Sequence, residues 1–101
     1  MNNQNDNNER PRRTFALGQI VMTPGAVAAF AATGERPFPF LARHHWWDWG
    51  EVSAEDATEN DFSVTHGFRV LSAYALRDGT RIWILTEADR SATTILLPDE
   101  Y

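Results

Sequence analysis

Two stretches of this chain gather residues that could do chemistry. The first is His44-His45-Trp46-Trp47-Asp48-Trp49-Gly50, two imidazoles and a carboxylate among three indoles. Clustered indoles can stack nucleobases. They can equally fill a hydrophobic corner or anchor a protein partner, since Trp is enriched in interface hot spots. Arg43 is the one cation nearby, so the electrostatic footprint of a nucleic-acid binder is missing. Packing or protein contact, through Trp46, Trp47 and Trp49, is therefore the favoured reading. A metal site would have to draw on His44, His45, His66, Asp48 and Glu51. Adjacent histidines on a helix diverge by about 100°, and neither an HxxxH nor an HExxH spacing occurs, so no metal is expected.

The second stretch, TEADRSATT, sets Glu87, Asp89, Arg90 and Ser91 among hydroxyls. An Arg so placed could hold an anion. The plainer reading is a loop in which Asp89 accepts backbone N–H groups, Ser91 or Thr93 closes the turn, and Arg90 pairs with Asp89 or Glu87. The two stretches, with His66 from between them, offer an acid–base set for RNA cleavage, Glu87 and Arg90 with His45 or His66. That chemistry needs hydrogen-bond contact with the 2′-hydroxyl and the leaving oxygen. The glycines are too scattered for a dinucleotide loop or a P-loop, and no GxSxG occurs. No cofactor is expected.

Composition narrows the classes. There is no cysteine, which removes disulfides, thiolate chemistry and Cys-type zinc sites. The formal net charge is −5, and the first thirteen residues carry three Arg against two acids, so the remainder is more acidic still. An acidic body argues against direct nucleic-acid binding. It permits a protein partner that itself binds nucleic acid. No apolar run approaches the ~20 residues of a membrane span, and the Asn-rich start does not read as a signal peptide. The expected compartment is a bacterial cytoplasm. Residues 1–13 are too polar to offset ordering entropy and read as a disordered tail. Residues 14–101 read as one α+β domain.

The elements that must position these residues follow from caps and alternation. Residues 15–22 read as a strand. Thr23-Pro24 opens a helix that Gly34 ends, with Val27, Phe30 and Ala31 on one face. A second helix starts at Pro39 and stops near Gly50. A third runs from a Ser53 cap to Gly67, packing through its later turns. Asp78-Gly79 suits a two-residue type I′ hairpin, which places Ala75, Ala73 and Leu71 opposite Ile82, Ile84 and Thr86, and Tyr74 opposite Trp83. A four-residue loop 88–91 then pairs Glu87 with Ala92, Thr86 with Thr93, and Ile84 with Ile95. The predicted order is β-α-α-α-β-β-β, an antiparallel sheet with a C-terminal three-stranded meander covered by helices.

The blocks LGQIVMTPGA, FLARH, DWG, LSAYAL and DGTRIWILTEADRSATTILLPDEY resemble a family of small bacterial proteins encoded on plasmids and integrative conjugative elements. Some members are labelled methyltransferase subunits of type I restriction systems. This chain has neither a Gly-rich cofactor loop nor the Asn/Asp-Pro-Pro-Tyr motif of such methylases. It departs from the family at Trp46-Trp47, where a small or polar pair is usual. The resemblance implies a non-enzymatic accessory protein of a mobile element that binds a host or element protein, as an anti-restriction or anti-CRISPR modulator would. It brings no catalytic residues with it. The partner-binding candidates are Trp46, Trp47, Trp49, Asp89, Arg90 and Ser91. A small ribonuclease of barnase or RelE-like architecture and a structural homo-oligomeric module are the alternatives.

Overall fold

Thr23 opens the first helix as its chemistry requires: its hydroxyl accepts from the Ala26 amide while Pro24 takes the first helical position. In the computed structural model, which describes residues 14–101, this helix (α1, Pro24–Thr33) ends at Gly34 in the left-handed conformation. The expected tail, 1–13, lies outside the described residues. The second helix (α2, Phe38–His45) begins one residue before Pro39. The third (α3, Ala54–His66) has the Ser53 hydroxyl on the Asp56 amide and a left-handed Gly67 at its end. The buried residues of α1 are Ala26 and Phe30; Val27 and Ala31, expected on the same face as Phe30, point to solvent.

Four strands follow the predicted order: β1 (Gln19–Met22) before the helices, then β2 (Val70–Ala75), β3 (Arg81–Thr86) and β4 (Ala92–Leu96). The fold is α+β with helices packed on the sheet, and β2, β3 and β4 form the expected meander. The sheet order is β1-β4-β3-β2, with β1 added parallel to β4. The sheet is thus mixed rather than wholly antiparallel. The first strand is also shorter than expected. Gly18, at φ +66°, turns the chain before it, and a Cβ there would lie 2.4 Å from the Arg90 carbonyl oxygen.

The first hairpin corrects the expected register by one residue. Leu76 and Thr80 close a three-residue loop (N–O 2.8 Å), and Gly79 takes φ +88°. Asp78 has no positive φ, so this is not a type I′ turn. It matches the three-residue alternative, in which Gly supplies the left-handed residue. Tyr74 therefore faces Ile82, and Ala73 faces Trp83. A one-residue slip exchanges the faces of a strand, so Val70, Ser72, Tyr74 and Leu76 share the face of Ile82 and Ile84 in place of Leu71, Ala73 and Ala75; Ala73 stays buried on the other face. Trp83 packs instead against Tyr101, at 5.5 Å between ring centroids. The second hairpin has the expected pairs, Thr86 with Thr93 and Ile84 with Ile95.

Two apolar clusters result. One joins Phe30 and Ala26 of α1 to Tyr74, Leu76, Ile82, Ile84 and Ile95. The other joins Phe15, Trp49 and Val70, with Ala57 and Val64 of α3 against it. The outer edge of β2 is covered. The Asn60 side chain donates to the Leu71 carbonyl (2.8 Å) and accepts from the Leu71 amide (3.3 Å). Two residues on, Ala73 exchanges hydrogen bonds with Trp49 and Glu51. An open edge invites pairing with other chains. Asn60→Ala is expected to cost about 2 kcal/mol in urea denaturation, since a buried amide's two bonds to the edge are lost.

Candidate functional site

The sites proposed from sequence resolve into three places: a groove beside α2, the loop between β3 and β4, and a polar row inside the core. Each is set by how a helix or strand ends.

Helix α2 ends in an unusual way. The Asp48 amide bonds the Arg43 carbonyl (2.8 Å), and the Trp47 amide bonds the His44 carbonyl (3.1 Å). This is the Schellman pattern, with Trp47 at the position normally held by Gly. Trp47 adopts φ +67°, which costs roughly 1 kcal/mol for a side chain of its kind. Packing offsets that cost: its indole stacks on Trp49 at 6.2 Å and 29°. Trp49 is buried, lies 6.0 Å from Phe15, and donates its indole N–H to Asp61 (2.9 Å). Of the three indoles only Trp46, 40% accessible, is turned substantially outward. The Trp-rich stretch is therefore a core corner with one outward residue.

That outward residue borders a groove of about 290 Å³ between β1 and α2, lined chiefly by Leu17, Ile20, Phe38, Leu41, His45 and Trp46. Phe38 is 73% accessible, and Ile20 is also exposed. The lining is almost wholly apolar, and the His45 Nδ1 is buried with no hydrogen-bond partner among the described residues. An apolar concavity with one polar group is the common form of a binding pocket. Phe38 and Ile20 were not among the residues singled out from sequence. The signal for Phe38 was its place between two prolines, which sets it in the exposed first turn of a helix.

The loop 88–91 holds together as a structural device. Asp89 accepts from the Ser91 amide (2.9 Å), as expected, and its carboxyl is held below the usual range by the Ser91 hydrogen bonds. Arg90 does not pair with Asp89 or with the Glu87 carboxylate. It takes φ +62° and turns its guanidinium to main-chain carbonyls: Phe68 (2.8 Å), Glu87 (3.0 Å) and Ser63 (3.1 Å). Ser63 lies in the last turn of α3, so Arg90 caps that helix from another element and meets the negative end of its dipole. Its guanidinium carbon also stands 5.6 Å from the centre of the Phe15 ring. His66 lies at the same helix end but stacks on Phe62 (4.0 Å), while His45 lines the groove. Among the described residues no hydrogen bond or ion pair links the Glu87 carboxylate, the Arg90 guanidinium and either histidine.

His44 lies in the core between the two clusters, fully buried. Its Nδ1 is 2.6 Å from the Ser72 hydroxyl and its Nε2 is 2.8 Å from that of Thr86. The Thr86 hydroxyl is 2.7 Å from that of Thr93, which donates to the Leu17 carbonyl (2.7 Å). Hydroxyls have one proton each, so the directions follow from the far end. Thr93 spends its proton on Leu17 and accepts from Thr86. Thr86 then accepts from Nε2–H, which leaves Nδ1 as an acceptor for Ser72. The row thus assigns His44 as the neutral Nε2–H tautomer. Burial, helped by the nearby His45 and Arg90, drives its pKa from 6.5 to about 3. A serine beside a histidine suggests a nucleophile and its base. Here both are wholly enclosed and the base is far too weak near neutral pH, so the row ties α2, the sheet and the segment before β1 together.

No protein-family model, curated protein or solved structure matches this chain. Among the described residues no group of three or more His, Cys, Asp or Glu could hold a metal ion, and no helix is long and apolar enough to cross a membrane.

Proposed function

We propose that this protein is a non-enzymatic binding protein that docks a protein partner in the groove between β1 and α2. The carrying observation is the exposed apolar set of Phe38, Ile20 and Trp46 around that groove, since contiguous exposed apolar surface marks interaction sites. The residues with the most reactive side chains support the reading from the other direction. Arg90 is committed to helix carbonyls, and His44 to the buried hydroxyl row. The ribonuclease alternative would need Arg90 free to meet phosphate. The biological setting rests on the resemblance of the blocks quoted above to proteins of plasmids and conjugative elements, and it makes the partner a component of host restriction or CRISPR defence.

The test is plasmid establishment in cells with an active restriction or CRISPR system, with and without the chain expressed. Protection of roughly tenfold or more is expected, lost in the Phe38→Ser, Trp46→Ser double variant at unchanged soluble level. No protection by the natural chain against either class of system would sink the defence role. Protection that survives the double variant would remove the groove from it.

A further inference from the structure

A different face of the molecule carries its own signature, and it shares no residue with the groove beside α2. Helix α3 presents Phe62, with Phe68 just beyond its end; each is 54% accessible. Their ring planes are within 9° of parallel, with centroids 6.1 Å apart, and His66 stacks on Phe62 at 4.0 Å and 18°. Three aromatic rings are thus aligned on the surface, although none is needed there to close the core. A shallow depression of about 470 Å³ beside the two Phe rings is bordered by Thr58, Glu59 and Ser63.

Apart from Arg90, whose guanidinium is committed to the Ser63 and Phe68 carbonyls, charge says what such a surface would take. Between Arg43 and Arg69 the chain has no Lys or Arg and six acidic residues: Asp48, Glu51, Glu55, Asp56, Glu59 and Asp61. Asp48 pairs with Arg43, Glu51 pairs with Arg81, and Asp61 accepts from Trp49. Glu55, Asp56 and Glu59 have no cationic partner among the described residues. Glu59 lies one helical turn before Phe62, so its carboxylate and the ring neighbour each other on the helix. The face of an aromatic ring attracts cations, and a guanidinium can stack flat on it while its edge meets a carboxylate. An ammonium can do the second but not the first.

We infer that the Phe62–Phe68 surface with Glu59 binds an arginine side chain in a basic segment of a partner protein. The arginine lies over the aligned rings and directs its N–H groups to Glu59, while Glu55 and Asp56 attract the rest of the basic segment.

The test uses the full chain and two fluorescein-labelled peptides, one with six arginines spaced by Gly-Ser and one with lysines in their place. Fluorescence anisotropy at low salt is expected to give at least about fivefold tighter binding of the arginine peptide. The Phe62→Leu, Phe68→Leu double variant should bind it about tenfold more weakly. Phe62→Tyr, which keeps a ring, should bind close to the natural chain, and Glu59→Gln several-fold more weakly. Because both Phe are exposed, the Leu variant should keep its circular dichroism; if it does not, the Tyr and Gln variants and the arginine–lysine comparison decide. Equal affinity for the two peptides, or Leu variants that bind as well as the natural chain, would overturn the inference and leave only a diffuse acidic field. So would sedimentation showing that the surface is buried between two copies of this chain in the absence of peptide.

Discussion

Moving the protein from pH 7 to pH 5 is expected to remove about 2 kcal/mol of folding stability through His44 alone. In the folded state the ring is held neutral, with its pKa at about 3, against 6.5 when unfolded. The unfolded chain therefore binds a proton that the folded one refuses. The stabilisation is whole above about pH 6.5 and is lost as the pH falls from there toward 3. The hydroxyl row gives this a structural basis. Protonating Nδ1 would set it against the Ser72 hydroxyl that now donates to it. Urea denaturation at pH 7, 6 and 5 checks the expectation. The His44→Gln variant should be weaker at pH 7, yet nearly flat over that interval. Exposed carboxylates held low by local hydrogen bonds, such as Asp78, Asp89 and Glu100, are common to both proteins and cancel in the comparison. Parallel decline of the two proteins would show that His44 is not the group that titrates.

Arg90→Leu is expected to destabilise the fold by about 3 kcal/mol, because charged hydrogen bonds to carbonyls are worth more than neutral ones and three acceptors lose their partner. Arg90→Lys should recover little, since a single ammonium cannot span the carbonyls of Ser63, Phe68 and Glu87. Calorimetric melting of the three proteins measures this directly. The expectation also bears on the ribonuclease alternative. Loss of an activity or of toxicity on removing Arg90 would follow from unfolding alone, so a catalytic role would need to be shown at full folded population.

Much of the helical framework could be read in the chain because it rests on local chemistry. Thr23-Pro24, Ser53, Gly34 and Gly67 each mark an end through a hydrogen bond or a backbone angle that nearby residues fix. The end of α2 was harder to read, because a Trp occupies a position where Gly would be expected and only the stacking on Trp49 makes it tolerable. The DG hairpin misled for a related reason. Asp-Gly fits a two-residue turn and a three-residue turn alike, and the two differ by one residue in register. The bulkier set Val70, Tyr74 and Leu76 was the discriminating signal, since it belongs inside with Ile82 and Ile84. His44 stands in the sequence only as one of two adjacent imidazoles. Its partners are Ser72 and Thr86, and only the corrected register brings Ser72 onto the face of Thr86. Arg90 was recognised as a residue with a task, but its acceptors are main-chain carbonyls, which leave no trace in a pattern of side chains.

The parallel pairing of β1 with β4 sets an order of events for synthesis. Gln19 meets Ala92, the Leu17 carbonyl waits for Thr93, and the Thr23 hydroxyl and Gly25 amide bond to Glu100. Each of these contacts joins residues more than seventy positions apart. On the ribosome, β1 and α1 emerge early and have nothing to close against until the β4 segment has cleared the exit. Contacts so distant in sequence slow folding, and the apolar side chains of 15–30 stay open to chaperones throughout that interval. Closure of the domain therefore waits on β4, and its earliest vulnerability is that of a sheet still lacking the strand that joins β1 to β3.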